Sequence, residues 1–157
     1  MKESIGYTVT LNIVITFIII VFAFLSAALI YFKSNKVSNV ITETIEKYEG
    51  YNSYSISEIS TKLTSLGYNR NSVNCTSYYN RIDSNERNKC STSLTNGTDG
   101  YCVFVCREIT SDDEWYYYYK ISTNMMINIP IVNNLLNIPI FSNTNRLYDF
   151  ACQKASC

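Results

Sequence analysis

From Leu11 to Phe32 the chain is an almost unbroken apolar run, interrupted only by Asn12, Thr16 and Ser26 and carrying no charge. As a helix rising about 1.5 Å per residue it spans roughly 33 Å, enough to cross a bilayer core of about 30 Å. The pattern continues past Phe32 in a different form. Val37, Val40, Ile41, Ile45 and Tyr48 recur at helical spacing, with Lys36, Glu43, Glu46 and Lys47 between them. The same helix is expected to become amphipathic, with Gly50 as its terminator.

Ser55 followed by Glu58 has capping-box spacing, and Ile56, Ile59, Leu63 and Leu66 share one side before Gly67, which predicts a short second helix. Tyr68 to Asp99 is rich in Asn, Ser, Thr and Arg without a sustained period, and reads as a long loop. Strand chemistry follows. Tyr101 to Ile109 and Trp115 to Ile127 are aromatic and β-branched, joined by a Ser111-Asp112-Asp113 turn, and predict an antiparallel hairpin. Pro130 and Pro139 bracket a short apolar segment with Leu135 and Leu136, and Ile140 to Tyr148 is expected as a third strand. The predicted class is α+β: a long helix, transmembrane and then amphipathic, carrying a three-stranded antiparallel sheet, a short helix and a stapled loop.

The 13 basic and 13 acidic residues cancel and are scattered, so the basic stripe of a nucleic-acid binder is missing. Histidine is absent, which removes the Ser-His-Asp triad, the Cys-His pair and imidazole metal ligands. No enzyme activity, cofactor or metal is therefore expected. All six cysteines, Cys75, Cys90, Cys102, Cys106, Cys152 and Cys157, lie beyond the apolar run, which favours an oxidising compartment and disulfides over reduced thiols in a cytoplasmic head. Flanking charge leans the other way: Lys2 is offset by Glu3, while Lys33 and Lys36 follow the run. The expected units are a short charged leader or cytoplasmic stub over 1–6, a transmembrane helix over 7–32, its amphipathic extension over 33–50 and an extracytoplasmic head over 51–157 of a single-pass membrane protein.

Cys102 and Cys106 stand four apart on a predicted strand, on one face and roughly 13 Å from each other, too far to bond mutually. The preferred pairing ties Cys75 and Cys90 to them and closes Cys152 with Cys157. A four-cysteine zinc site is the rival, but its short Cys-x-x-Cys knuckles are absent, and a tethered thiol–disulfide enzyme lacks the same motif. Asp112, Asp113 and Glu114 have the oxygens to ligate calcium, yet read more simply as a solvated turn. Trp115 to Tyr119 puts aromatics on both faces of a strand, and cover by the loop or the helix is expected over an exposed binding row. Asn74-Cys75-Thr76 and Asn96-Gly97-Thr98 match the glycosylation acceptor pattern, which recurs by chance in an Asn-rich chain.

Gly6-Tyr7-Thr8-Val9-Thr10-Leu11, between a short charged leader and the apolar run, resembles the prepilin signal. In that family a peptidase cuts after the glycine, which puts the cut between Gly6 and Tyr7; an uncleaved signal anchor gives the same topology. The chain departs from the family at Leu11, which stands where a glutamate follows the cut. The whole plan is similar to type IV pilins, pseudopilins and the TadE-like proteins of tight-adherence pilus systems. Tyr119 to Thr123, Ile129-Pro130-Ile131, Leu135-Leu136 and Ile138-Pro139-Ile140 to Arg146 look like the TadE pattern of strand, Pro-led segment and closing strand. The resemblance implies a minor or initiating component of a surface pilus or secretion apparatus, partnered by the lipid bilayer, other pilin-like subunits and assembly-platform proteins. Ala23, Ala27 and Ala28 offer small surfaces for stem packing, or are lipid-facing filler. The alternative is a signal-anchored binding or adhesion module.

Overall fold

The computed structural model describes residues 2–68, 72–95, 97–111, 114–129 and 134–148. Helix α1 runs unbroken over Lys2–Lys47, 46 residues, or about 69 Å. It ends in a Schellman-type turn, with the Glu49 N–H on Glu46 O at 3.1 Å and the Gly50 N–H on Ile45 O at 3.0 Å. The left-handed residue is Glu49, at φ 52°, one place before the expected glycine terminator. Gly50 has a different reason to lack a side chain: a Cβ there would stand 3.3 Å from the Tyr119 hydroxyl.

Helix α2 covers Ser53–Ser65 and is capped by Asn52, whose side chain accepts from the Tyr54 and Ser55 N–H groups. Ser55 returns the bond by accepting the Asn52 N–H at 2.9 Å. The capping box therefore sits three residues earlier than its expected Ser55–Glu58 form, because Asn52 meets the backbone first and Ser55 becomes its partner. Gly67 closes the helix at φ 60°. The predicted loop holds two short helices, α3 (Cys75–Tyr79) and α4 (Ser84–Arg87), both too brief to show a period in the sequence.

Strands β1 (Tyr101–Ile109), β2 (Trp115–Ile129) and β3 (Asn134–Asn143) form an antiparallel meander, and β4 (Leu147–Tyr148) pairs with β2. Tyr101 lies opposite Thr123, and Lys120 opposite Asn143. Two expectations change here. Leu135, Leu136 and Pro139 belong to β3 rather than to a separate segment, and Pro139 is accommodated because β3 is an edge strand. The third strand expected over Ile140–Tyr148 is split by a bulge at Thr144–Arg146, where the register against β2 slips by one residue. Thr144 bridges the gap by donating its N–H to Tyr119 O and accepting the Tyr119 N–H on Oγ1 at 2.8 Å. Pro130, Asp112, Asp113, Cys152 and Cys157 lie outside the described residues.

Both faces of the sheet are covered. Val37, Ile41 and Ile45 of α1 and Ile59 and Leu63 of α2 close on Tyr101, Val103 and Ile121. On the opposite face Cys102 and Phe104 meet Val73, Cys75, Tyr78 and Ile82 of the loop layer. Strand alternation explains the division, since odd positions of β1 face the helices and even positions face the loop. Ile41 is completely buried at the centre of the helix–sheet layer. Ile41→Ala is expected to cost about 2–5 kcal/mol, read as a lower denaturant midpoint in detergent with an unchanged transition slope.

Candidate functional site: an apolar stem under a stapled head

The first half of α1 is apolar on every side. Phe17, Phe22, Phe24, Leu29 and Phe32 are each more than 60% exposed, and no residue of its most apolar 18-residue window is buried against the rest of the protein. A helix of this kind is long and apolar enough to cross a membrane. Two of its polar interruptions are satisfied within the helix: Thr16 donates to Asn12 O and Ser26 to Phe22 O, each at 2.8 Å. Gly6 and Tyr7 lie in the first turns of α1, with Tyr7 well exposed. Ala23 and Ala27 are half-covered on the side that continues into the head, whereas Ala28 is exposed, so the three alanines do not share one free surface.

Where the stem meets the head, the joint is hydrogen-bonded as well as apolar. Lys33 donates to Gly67 O at 2.9 Å, capping the end of α2. Ser34 donates to Asn124 O at 3.4 Å, and the Ser142 hydroxyl lies 2.6 Å from Ser38 Oγ and 3.0 Å from Thr42 Oγ1. These small residues form a hydroxyl seam that sequence periodicity alone does not show.

The far face is stapled. Cys75 is bonded to Cys102 and Cys90 to Cys106, spanning 27 and 16 residues. All four are buried. Beside the second bond, residues 89–94 lace along the free edge of β1: Ser91 N–H donates to Val105 O, Leu94 N–H to Val103 O and Arg107 N–H to Lys89 O. The lacing removes that edge as a template for unwanted strand pairing.

The tyrosine row is covered rather than displayed. Tyr118 is buried against Cys90 and Cys106, Tyr119 packs beside the helix-side core, Tyr117 donates to Glu49 O at 3.3 Å and Tyr116 meets Tyr148 edge-on. Asn74, in one of the two acceptor triplets, caps α3 by accepting the Ser77 N–H at 3.0 Å; Asn96 of the other lies outside the described residues. Among the described residues no cluster of three His, Cys, Asp or Glu is placed to hold a metal.

Charged groups serve the joints. Glu58, freed from capping, is held by Lys47, Lys62 and the Tyr48 hydroxyl. Its carboxyl is pushed down to about 2, first by the Lys47 hydrogen bond and then by those of Lys62 and Tyr48. Glu108 bridges Lys89 and Arg146 at 2.9 and 2.8 Å, and its pKa is lowered chiefly by the Lys89 hydrogen bond. Lys120, nearly buried on the loop face, pairs with Glu86 of α4. Burial pushes the Tyr51 and Tyr68 hydroxyls up, and Tyr68 donates to Gly100 O at 2.8 Å. These are ties between elements, each with its partner inside the head.

Comparison with protein-family models, curated proteins and solved structures gives no match. The geometry itself has to carry the functional reading.

Two outcomes follow from the staples and the Glu58 cluster. Replacing Cys75 and Cys102 together by Ala is expected to cost about 3 kcal/mol, the loop-closure entropy returned to the unfolded chain, measured by chemical denaturation of oxidised protein. Because the folded pKa of Glu58 is depressed, its contribution is complete above the ordinary value of 4.5 and is lost as pH falls toward about 2. Thermal midpoints between those limits are expected to fall less steeply for Glu58→Gln than for the wild type.

Proposed function

We propose that the chain is a membrane-anchored, non-enzymatic structural component, pilin-like in plan, that acts in assembling or priming a surface pilus or secretion apparatus. One observation carries this reading: a single continuous helix is bare and apolar through its first half and roofed by an antiparallel sheet through its second. Such a rod leaves its apolar half for lipid or for the stems of neighbours and fixes the head at one end of it. Buried disulfides between the loop layer and β1 support an oxidising exterior for the head. The histidine-free composition supports a structural role.

A second reading, an anchored binding module, draws on a cleft beside α3 lined by neutral groups including Asn74, Thr76, Tyr79, Thr92 and Thr95. The two readings diverge at the N-terminus. Pilin-type processing yields a mature protein beginning at Tyr7, whereas a permanent anchor retains Met1. In either case the protein is expected to resist alkaline extraction from membranes and to lose its C-terminal portion to protease added outside intact cells. Protection of that portion until lysis would put the head on the wrong side and end both readings.

A further inference from the structure

The contacts between α1 and the sheet fix the direction in which the two run past each other. Tyr117 bonds Glu49 O, the Asn145 N–H bonds Glu46 Oε1, Ser142 lies against Thr42 and Ser38, and Asn124 O accepts from Ser34. Each step toward the N-terminus of α1 is thus a step toward the end of the β2–β3 pair where Ile129 faces Asn134. The pairing continues beyond Asn124, to Ile129 opposite Asn134. At about 3.3 Å per residue the hairpin reaches roughly 17 Å past the level of Ser34. That equals the rise of about 11 helical residues, down to the neighbourhood of Ala23.

The helix bears a matching mark. Between Tyr7 and Phe32 every residue is exposed except Ala23, Ala27 and Ile30, which are half-covered. Their spacing puts them on one strip leading into the buried Ser34, along the path of the hairpin. The hairpin therefore lies alongside the upper part of the apolar stem and not above it. Its sequence suits that position: no charged residue occurs from Ile121 to Asn145, and from Met125 to Phe141 apolar residues are broken only by Asn128, Asn133, Asn134 and Asn137. Ile138 is 41% exposed on this part of β3.

We infer that the far part of the β2–β3 pair, residues 125–129 and 134–138, is a second membrane-contacting element, seated in the interfacial layer of the leaflet that faces the head. The inference rests on α1 being a membrane anchor. The interfacial layer, rather than the hydrocarbon core, is specified by the backbone. Among the described residues β3 pairs only with β2, and the peptide groups on its outer edge need water or headgroups as partners. Tyr31 and Phe32 then stand at the membrane surface with the hairpin, as interfacial aromatics do, and the hydrocarbon-crossing part of α1 lies closer to the N-terminus than the apolar run alone implies.

The test uses the full chain in phosphatidylcholine vesicles, with Trp115→Phe removing the single native tryptophan. Single reporters are then introduced as Leu135→Trp or Ile138→Trp on the hairpin, Phe22→Trp on the stem and Ile109→Trp at the opposite end of the sheet. With brominated phospholipids, both hairpin reporters and Phe22→Trp are expected to be quenched and Ile109→Trp to stay bright. Bromines high on the acyl chain should quench Leu135→Trp more than bromines near its end. Quenching of Phe22→Trp with both hairpin reporters as bright as Ile109→Trp would overturn the hairpin contact and leave the anchor standing. No quenching at Phe22→Trp would overturn the anchor and the inference with it. Two hairpin positions guard against one variant failing to fold.

Discussion

One helix is bare and apolar over one half and a core element over the other, without a joint between them. From Tyr7 to Lys47 α1 contains neither glycine nor proline, so none of the usual causes of a kink interrupts it. From Tyr7 to Phe22 every residue of it is exposed, and its second half supplies Val37, Ile41 and Ile45 to the core of the head. The head cannot move on its stem without breaking the core made by Val37, Ile41 and Ile45. Whatever holds the apolar half also sets the orientation of the sheet, which makes the molecule a rigid spacer and not a tethered domain.

The rest of the head follows from how little core that arrangement leaves. A small sheet with a helix on one face exposes its other face, and here a segment with little regular structure has to cover it. Such a cover has few apolar residues to hold it down and loses much chain entropy on ordering. Cys75–Cys102 and Cys90–Cys106 offset that loss by tying the cover to β1 at both ends of Phe104. The lacing of residues 89–94 along β1 and the Lys120–Glu86 pair close the same layer at its margins. Acidic and basic residues scattered in sequence thus converge on element joints, and their work is structural.

The long-range plan was legible because it is written in unambiguous periods: the uncharged run of α1, its continuation at Val37, Ile41 and Ile45, and the β-branched and aromatic strands. The cover layer was not, since helices of four or five residues leave no periodic trace. Two local readings failed for a shared reason. Ser55 and Gly50 each have the residue type for a cap, but their neighbours Asn52 and Glu49 reach the orphan backbone groups first. The break in the last strand was invisible because the Thr144 side chain replaces a backbone partner, a substitution that depends on the register against Tyr119. The stem as a candidate site was readable outright, whereas its hydroxyl seam with the sheet required Ser142 to be placed opposite Ile121.

That seam decides more than local adhesion. An apolar layer alone tolerates sliding, because one buried methyl group resembles another. Ser34, Ser38 and Thr42 present hydroxyls one turn apart, and they meet discrete partners at Asn124 O and Ser142. Sliding the sheet along α1 by part of a turn would take the buried Ser34 and Ser38 hydroxyls away from these partners, at a cost of about 1–3 kcal/mol for each group left unpaired. The Lys33 bond to the end of α2 fixes the same register from another element. Because the strands are locked to the helix at Ser34, the distance by which the hairpin overlaps the apolar stem is set by strand length alone. In the membrane-anchored reading proposed above, depth at the membrane surface is therefore encoded in the core of the head.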